Sequence, residues 1–427
     1  MSSQTILPEN TARHTVKVSA QAMSIHQQIS QLIEQKIESS QSGIRFSEFM
    51  QLALYTPALG YYQNSLFKLG DKGDFITAPE MGNLFARCIS TVLADNFNLT
   101  KTLSNVSPAI FELGAGSGKL AADLMTHLTD LHVPLADYYI LETSPSLQSL
   151  QAHRLERLSQ QDESTTAIAT QVHWLERFPT EFSGVILANE VVDAMPFERI
   201  CLVDGVWHYW LVTQVSQKNT SCSLHTEAAR ALFDWTLGEP VELRLLPDIL
   251  RDTQQFPNGY TTEIRPTVKG WLAGLYAGMQ QGSVYLFDYG YPATEYYHPQ
   301  RINGTAKCFS RHQEHNNLLA LAGLQDITAH VDFSQLAFDA VSVGFDVSGF
   351  TTQSGFLLES GILEWHSGGR RVEDIQMSQQ IQKLIAPGQM GEIVKVIRLD
   401  KNINQYHHES NPLSHKGFVF QDQLGRL

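Results

Sequence analysis

The chain has 427 residues, of which 43% are hydrophobic and 10% aromatic, and its 30 basic and 44 acidic side chains give a net charge of −14. This length exceeds what one hydrophobic core usually supports, so we expect a main domain with a satellite or a large insertion. The acidic balance argues against general binding to nucleic acid or to an anionic membrane surface, and it favours a basic partner.

The N-terminal part of the chain predicts a small helical region. Residues 1–23 are polar and lack a hydrophobic signal segment, so we expect a flexible tail and a cytoplasmic location. Ser24 begins the spacing of a capping box and precedes an amphipathic helical pattern, and Phe46–Tyr55 predicts a second, short helix. We assign residues 24–100 to a helical lead-in that caps the main domain.

The lead-in contains the motif Gly73–Glu80. Thr77 and Glu80 have the spacing of a capping box for the helix that follows, and contact with a ligand is the alternative role. Aromatic side chains near this motif could cover a bound cofactor or simply pack as a static cap. These aromatic residues are Tyr61, Tyr62 and Phe75.

The stretch Ala109–Leu124, AIFELGAGSGKLAADL, predicts a strand, a tight turn and a helix. The apolar run ends in Glu112, and the turn carries Gly114, Gly116 and Gly118 at every second position. Glycines allow positive φ angles and let a ligand lie against bare backbone. The start of the following helix then offers free N–H groups to a polar or anionic ligand group.

The glycine spacing separates the ligand classes that use such turns. A dinucleotide fingerprint needs the third glycine one residue later, and a phosphate loop needs a glycine at Leu113 and a Ser or Thr at Leu120. The remaining pattern, Glu-x-Gly-x-Gly-x-Gly, resembles the first motif of class I S-adenosylmethionine (SAM) methyltransferases. An ordinary turn between strand and helix is the plain alternative.

Two further strand ends carry polar side chains. The second predicted strand ends at Glu142, 24 residues after Gly118, where an acid can accept hydrogen bonds from a ribose diol. The fourth strand leads into Asn189, Glu190 and Asp193. In a Rossmann-like methyltransferase this edge faces the methyl group and its acceptor, whereas the alternative is a solvated loop with turn-forming residues.

The alternation of helices and strands then breaks and resumes. Residues 197–259 predict an inserted mixed α+β lobe with a hairpin at Ile200–Thr213, so residues 101–196 and 260–427 would form the α/β, doubly wound main domain. Asp288 ends the fifth predicted strand. The later predicted elements are a helix at Leu318–Ala322, a strand at Asp326–Asp332, a helix near Ser378–Leu384, and a closing antiparallel pair of Glu392–Leu399 with Gly417–Gln421.

Other polar groups have competing interpretations. Glu263 precedes a helix, where a carboxylate can simply complement the helix dipole. His312 and His315 have the spacing of two metal ligands, but no third ligand is evident. The four scattered cysteines form no Cys-x-x-Cys pair. We therefore expect no metal, and polar groups of a substrate pocket or a surface loop instead.

Several motifs, in this order, resemble the signature of the MidA-like methyltransferases, a family that includes the mitochondrial methyltransferase that assists assembly of respiratory complex I. The motifs are Gly73-Asp74-Phe75-Ile76-Thr77-x-Pro79-Glu80, Glu112-Leu113-Gly114-x-Gly116-x-Gly118, Asn189-Glu190-x-x-Asp193-Ala194-x-Pro196, Glu263-x-x-Pro266, Asp288-Tyr289-Gly290-Tyr291 and Asp326–Phe333. Lys119 after the last glycine and the segment Ser310–His315 depart from the family pattern.

The resemblance implies a Rossmann-like class I sheet of seven mostly parallel strands, SAM as cofactor, and methylation of an arginine in a protein substrate. The expected cofactor-binding residues are Thr77, Pro79, Glu112, Gly114, Gly116, Gly118, Glu142 and Asn189. The expected catalytic residues are Glu190, Asp193 and Glu263, and the expected substrate-binding residues are Asp288, Tyr289, His312 and His315.

Three other functions remain as alternatives. The enzyme could methylate a small molecule or another protein nucleophile, or the chain could act as a SAM-binding assembly factor with weak or absent catalysis. A dinucleotide oxidoreductase is disfavoured by the glycine spacing. The oligomeric state is open, with a homodimer as one alternative.

Overall fold

The computed structural model describes residues 19–64, 66, 77–104, 109–133, 135–159, 171–215, 232–310, 313–365, 371–403 and 416–427. The α-helices of these residues are α1 (Ala20–Glu38), α2 (Phe46–Tyr55), α3 (Leu84–Ser104), α4 (Lys119–Asp130), α5 (Pro145–Ser159), α6 (Val268–Gly278), α7 (Ala293–Tyr296), α8 (Phe333–Val343), α9 (Gln353–Glu359), α10 (Val372–Ile385) and α11 (Met390–Ile393). The β-strands are β1 (Ile44–Arg45), β2 (Ala109–Leu113), β3 (Asp137–Leu141), β4 (Val172–Leu175), β5 (Phe182–Asn189), β6 (Glu198–Val203), β7 (Val206–Gln214), β8 (Phe233–Pro240), β9 (Thr261–Ile264), β10 (Met279–Tyr291), β11 (Lys307–Ser310), β12 (Gln313–His315), β13 (Asp326–Thr328), β14 (Val331–Asp332), β15 (Asp346–Thr352) and β16 (Val394–Lys401).

The main sheet has the strand order β15-β16-β10-β5-β2-β3-β4, and β14 pairs with the far end of β10. Strand β16 runs antiparallel to both of its neighbours, while β10, β5, β2, β3 and β4 are parallel. The strand order reverses between β2 and β5, and the carboxyl ends of strands at such a point form a crevice for ligands. The predicted Rossmann-like sheet of seven mostly parallel strands is confirmed.

Side chains of the central strands alternate between two hydrophobic cores. On β2, Ile110 packs into the core that holds α3 and α4, while Phe111 packs into the core of α6 and α8. Helix α4 buries Leu120, Leu124 and Leu128, which are spaced by four residues and so lie on one face. Each such buried leucine stabilises the fold by about 1.5–3 kcal/mol.

A second sheet has the strand order β1-β7-β6-β9, with β8 paired to β7. The predicted hairpin is confirmed as β6 and β7. The lead-in packs on this sheet, because Ile44 of β1 pairs with Val212 of β7 and the Phe46 ring lies 5.2 Å from the Phe197 ring and 5.1 Å from the Trp235 ring. Strand β9 lies in the same sheet, beyond the predicted end of the insertion at residue 259.

Two predicted elements near the N-terminus and in the middle of the chain differ in the structure. Helix α1 begins at Ala20 because the Ser19 hydroxyl caps it by accepting a hydrogen bond from the Ala22 N–H, so the predicted start at Ser24 is wrong. Leu318–Ala322 forms turns rather than a helix. None of the helices in the described ranges combines the length and the apolar composition that a bilayer span requires.

The C-terminal half contains two further corrections. The predicted strand Asp326–Asp332 is divided into β13, which pairs with β11, and β14, which pairs with β10. At Ala329 the chain passes from a three-stranded sheet, β12-β11-β13, to the main sheet, and the Ala329 N–H donates to the carbonyl of Asp193. The antiparallel partners of β16 are β10 and β15 rather than Gly417–Gln421, which lies in turns.

Candidate functional site

The glycine turn connects β2 to α4 at the carboxyl end of the sheet. Gly114, Gly116 and Gly118 have φ angles of 66°, 53° and 75°, and Gly118 is the N-cap of α4. A Cβ atom on Gly114 would lie 3.1 Å from the Val191 side chain, and one on Gly118 would lie 3.1 Å from Gln151. Positive φ and close packing both require glycine here, which explains the spacing in the sequence.

A cleft of about 260 Å³ lies over this turn and over the carboxyl ends of β2, β3 and β5. The expected cofactor residues that line it are Thr77, Pro79, Glu112, Gly114, Gly116, Glu142 and Asn189, and the expected catalytic residue Glu190 lines it as well. Bare backbone, free N–H groups at the start of α4 and several carboxylates suit a ligand with an amino acid and a ribose, as SAM has. The residues present therefore fit the cofactor.

Glu142 lies where a carboxylate that binds a ribose is expected, and hydrogen bonds within the protein fix its orientation. Its Oε1 accepts a hydrogen bond from the Ser144 N–H (2.9 Å) and its Oε2 accepts one from the Gln151 amide (3.1 Å). The same Gln151 amide donates to the Gly116 carbonyl (3.0 Å), and its own oxygen accepts from the Trp174 indole N–H (2.8 Å). Gln151 thus ties the glycine turn to Glu142. Sequence reasoning missed it because a glutamine within a helix has no local signal.

Glu112 lies next to the glycine turn and is the least exposed of the carboxyl groups that line the cleft. It is 2% exposed, and its Oε2 accepts a hydrogen bond from the Tyr138 hydroxyl at 2.7 Å. Burial raises the pKa of Glu112 to about 7, and the tyrosine hydroxyl partly offsets that shift. Glu112 therefore changes its charge near neutral pH.

Hydrogen bonds hold the turn after β5 in a sharp conformation. Glu190 has a φ angle of 53°, which is uncommon for a residue other than glycine, and its N–H donates to the Phe287 carbonyl (2.8 Å). One oxygen of Asp288 accepts hydrogen bonds from the N–H groups of Val192 (2.8 Å) and Asp193 (3.2 Å). Asp288 is buried beneath the turn and braces it, whereas the sequence placed it among the substrate-binding residues.

Burial and neighbouring carboxyl groups shift the pKa values at this turn upward. Burial, followed by Asp193 and Asp288, raises the pKa of Glu190 well above its ordinary value, while the Asn189 amide and the Ala78 backbone N–H stabilise its charged form. Burial raises the pKa of Asp193 to about 6 against the opposing effect of Arg265. The cluster therefore carries less negative charge at neutral pH than three isolated carboxylates would.

Arg265, which directly follows β9, supports this turn. Its Nη1 donates to the His330 carbonyl (2.6 Å), and its Nη2 donates to the carbonyls of Asp193 (3.1 Å) and Ala329. Sequence reasoning singled out Glu263 in the motif Glu263-Ile264-Arg265-Pro266 and missed the arginine. The motif did contain a second charged residue, Arg265 next to the proline, and this is the residue that reaches the turn.

Glu263 lies apart from the cleft. It is buried, and its Oε2 accepts hydrogen bonds from the Thr305 N–H (2.9 Å), the Thr305 hydroxyl (3.3 Å) and the Tyr296 hydroxyl (3.5 Å). It lines a different cavity of about 110 Å³, on the side of the turn that carries Val192. The structure therefore does not bring Glu263 together with Glu190, and its contacts hold the loop at Thr305.

Two further expected substrate residues, Tyr289 and His315, lie outside the cleft lining. Tyr289 is half-buried and stacks on His330, with ring centroids 6.3 Å apart, and burial and the neighbouring Glu190 raise its pKa well above the ordinary value. His315 ends β12, and its Nδ1 accepts from the Asn317 N–H (3.3 Å). His312 lies outside the described residues. Among the residues that are described, no three potential ligands are grouped to hold a metal ion.

The lead-in covers the cleft from above. The Tyr55 hydroxyl donates to the Ala194 carbonyl (2.7 Å), and the Gln63 amide donates to the Thr143 hydroxyl (3.0 Å). The rings of Tyr55 and Tyr62 lie 5.5 Å apart and line the same cleft as Glu190. Of the predicted aromatic cover, Phe75 lies outside the described residues. The lead-in therefore closes the end of the cleft that carries the acidic turn.

Comparisons with known proteins agree with this architecture. The family model Methyltransf_28, which describes S-adenosyl-L-methionine-dependent methyltransferases, matches residues 88–351. The mitochondrial "Protein arginine methyltransferase NDUFAF7 homolog" of Drosophila melanogaster is 28% identical over 428 residues, which cover 93% of this chain and 90% of the relative. The Danio rerio protein arginine methyltransferase NDUFAF7 is 27% identical, with 81% of this chain and 79% of the relative covered.

A solved structure shows a closer likeness. The crystal structure of a superfamily member from Burkholderia thailandensis, bound to S-adenosyl-homocysteine, superposes with a TM-score of 0.83 and 30% identity, covering 96% of this chain and 99% of that chain. The expected cytoplasmic location is contradicted, because the names of the curated relatives place those proteins in mitochondria. The matched family model spans more than half of the chain, so the chain belongs to this family of SAM-dependent methyltransferases, and SAM is its cofactor.

Proposed function

We propose that the protein transfers the methyl group of SAM to an arginine side chain of a protein substrate. The names of the curated relatives support this acceptor, since they are protein arginine methyltransferases. The observation that carries the proposal is the pair of Glu190, which lines the end of the cleft, and Asp193, a buried carboxyl group three residues later on the same turn.

The crowding of these carboxyl groups is the reason to expect a cationic acceptor. Without a bound cation, burial and repulsion from Asp193 and Asp288 hold the pKa of Glu190 well above its ordinary value, and burial, opposed by Arg265, holds the pKa of Asp193 at about 6. A guanidinium group stays charged at every physiological pH, so its entry would favour the ionised form of both acids. Two carboxylates can also hold its planar fork and direct one nitrogen. A neutral acceptor would not require a pair of carboxylates to balance its charge.

The residues along the cleft would have separate roles in the reaction. SAM supplies an electrophilic methyl group on a sulfonium centre. The backbone of Gly114–Gly118 would lie under its amino-acid part and Glu142 would accept hydrogen bonds from its ribose. Glu190 would orient the guanidinium, and Asp193, with a pKa of about 6, would accept the proton that the methylated nitrogen loses. Orientation of the two reactants can supply roughly 7–11 kcal/mol of the barrier reduction.

The test combines methyl transfer with cofactor binding. Wild-type protein, Glu190→Gln and Asp193→Asn would be incubated with labelled SAM and a cell extract, and methylarginine in the extract proteins would be detected by mass spectrometry. We expect both variants to bind SAM in calorimetry but to lose most methylarginine formation. The exposed Glu181→Gln is the matched control and should behave as the wild type.

Three outcomes would change the proposal. Undiminished methylarginine formation in both variants would rule out the carboxylate pair as the acceptor site. Loss of SAM binding would move these acids to the cofactor site. Tight SAM binding by the wild type without any methylarginine would instead favour the alternative role as a SAM-binding assembly factor.

A further inference from the structure

Glu80 lies in a motif that the functions described above do not use. It belongs to a short 3₁₀ turn, Ala78–Met81, whose Thr77 N-cap makes no side-chain hydrogen bond, so the predicted capping box is wrong. The Glu80 side chain reaches instead to the glycine turn, where its Oε1 accepts a hydrogen bond from the Ser117 hydroxyl. The sequence motif thus places a carboxylate against the turn that would carry the cofactor's amino-acid part.

The carboxylates that line the cleft differ in their hydrogen bonds and in their burial. Both oxygens of Glu142 are bound, by Ser144 and Gln151. Glu112 and Glu190 each have one oxygen bound, by Tyr138 and by the Asn189 amide, and burial raises the pKa of both carboxyl groups, which disfavours their charged forms.

Glu80 is half-buried, and its Oε2 has no hydrogen-bond partner among the residues that the structure describes. Among the described residues that line the cleft, the basic side chain is Lys119, which is already paired with Asp123. Glu80 therefore presents a carboxylate oxygen that lacks a cation.

We propose that Glu80 binds the α-ammonium group of the cofactor. The backbone N–H groups of the glycine turn and the start of α4 are donors, which suit a carboxylate and repel an ammonium group. An amino acid in this position needs an acceptor beside those donors, and Glu80, held by Ser117, supplies one. Because the Ala78 backbone N–H also stabilises the Glu190 carboxylate, the same short turn links the cofactor to the acceptor acids.

Calorimetry with three ligands separates this role from a general disturbance of the cleft. SAM and S-adenosyl-homocysteine carry the ammonium group, whereas 5′-methylthioadenosine lacks the whole amino-acid part. For Glu80→Gln we expect the affinity for the first two ligands to fall by about 10–100-fold, as for the loss of a hydrogen bond to a charged group. The affinity for 5′-methylthioadenosine should change by less than about threefold. An unchanged affinity for SAM, or an equal loss for all three ligands, would overturn the proposal.

Two variants serve as matched controls. Glu142→Gln, at the ribose end, should weaken all three ligands alike. Glu112→Gln tests the competing carboxylate, and an ammonium-specific loss there, combined with none in Glu80→Gln, would reassign the contact to Glu112. Ser117→Ala should show a smaller loss with the same ligand pattern as Glu80→Gln. No protein substrate enters these measurements, so they stand or fail independently of arginine methylation.

Discussion

The two ends of the cleft are built in different ways. The proposed cofactor end consists mainly of the glycine turn, Glu112 and Glu142, which lie within one continuous stretch, 109–151, and the lead-in adds Glu80 to it. The proposed acceptor end is assembled from separate segments, because Tyr55 comes from the lead-in, Glu190 follows β5, and Arg265 follows β9. The first end is therefore encoded largely within one stretch, and the second depends on how distant parts of the chain pack together.

This difference has a physical consequence for stability and function. The cofactor end is fixed by backbone conformation and by adjacent parallel strands, so a change there should act on SAM binding first. The acceptor end is fixed by hydrogen bonds between loops, such as those from Arg265 to the carbonyls of Asp193 and His330. A change there should leave SAM binding intact and act on methyl transfer. Four variants test this separation.

The largest effect is expected for Gly116→Val. Gly116 has a φ angle of 53° and lines the cleft, so valine would be strained and would also occupy space that the ligand needs. We expect SAM affinity in calorimetry to fall by more than about 100-fold. Gly259→Val is the matched control, since Gly259 has a φ angle of 85° and no atom within 4 Å of an added Cβ. Both variants should lose about 1–3 kcal/mol of unfolding free energy from strain. Equal SAM affinity in the two variants would contradict the placement of the cofactor on this turn.

Removal of Arg265 should uncouple the two ends. Arg265→Gln leaves the carbonyls of Asp193, Ala329 and His330 without their charged donor, and it removes the cation that opposes the pKa shift of Asp193. We expect a loss of about 3 kcal/mol in the free energy of urea unfolding. Methyl transfer should be lost, while the dissociation constant for SAM stays within about threefold of the wild type.

Arg265→Lys is the control for charge, because lysine keeps the cation but not the fork of donors. It should recover part of the stability and little of the methyl transfer. A parallel loss of SAM affinity in both variants would mean that the two ends are not separable.

Glu112 gives a pH-dependent effect at the cofactor end. Its pKa is about 7 in the folded protein, above its ordinary value, so between about pH 4.5 and 7 the folded state keeps a proton that the unfolded state releases. The stability of the wild type should fall as the pH rises through this range, by on the order of 3 kcal/mol in total. Glu112→Gln removes this titration, so urea unfolding should show the variant gaining on the wild type as the pH rises. A constant difference between the two proteins from pH 4.5 to 8 would exclude the burial of an ionisable Glu112.

The sequence predicted most of the main sheet because its signals are local. The strand, turn and helix at Ala109–Leu124 need only an apolar run, glycines at positive φ and a helical period. The predicted helix Phe46–Tyr55 has the same bounds in the structure. The predicted start of α1 was wrong because another local cap, Ser19, precedes Ser24. The predicted strand Asp326–Asp332 was wrong because a distant partner interrupts it, since the Ala329 N–H bonds to Asp193.

The same reasoning explains the site. Acids at strand ends could be found from the sequence, because parallel strands bring their carboxyl ends to one edge. The sequence could not show which of these acids faces the cleft, because the N–H groups of Val192 and Asp193 hold Asp288 beneath the loop. Gln151 carries no periodic or spacing signal, since its role comes from a contact with a turn 35 residues earlier. The roles of Glu190 and Asp193 stay predictions until the variants are measured.

The smallest expected effect tests the link between the lead-in and the acceptor end. Tyr55→Phe removes the hydroxyl that donates to the Ala194 carbonyl at 2.7 Å, while the ring can remain beside Tyr62. We expect a loss of about 1 kcal/mol in unfolding free energy, unchanged SAM affinity, and a severalfold rise in the KM for the protein substrate with little change in kcat. The reason is that the turn after β5 keeps its braces from Asp288 and Arg265 but loses its contact with the cover of the cleft. Tyr260→Phe is the matched control, because that hydroxyl also donates to a carbonyl, that of His298, but Tyr260 does not line the cleft. A rise in KM of the same size in Tyr260→Phe would show that loss of stability, rather than the position of Tyr55 over the cleft, causes the change.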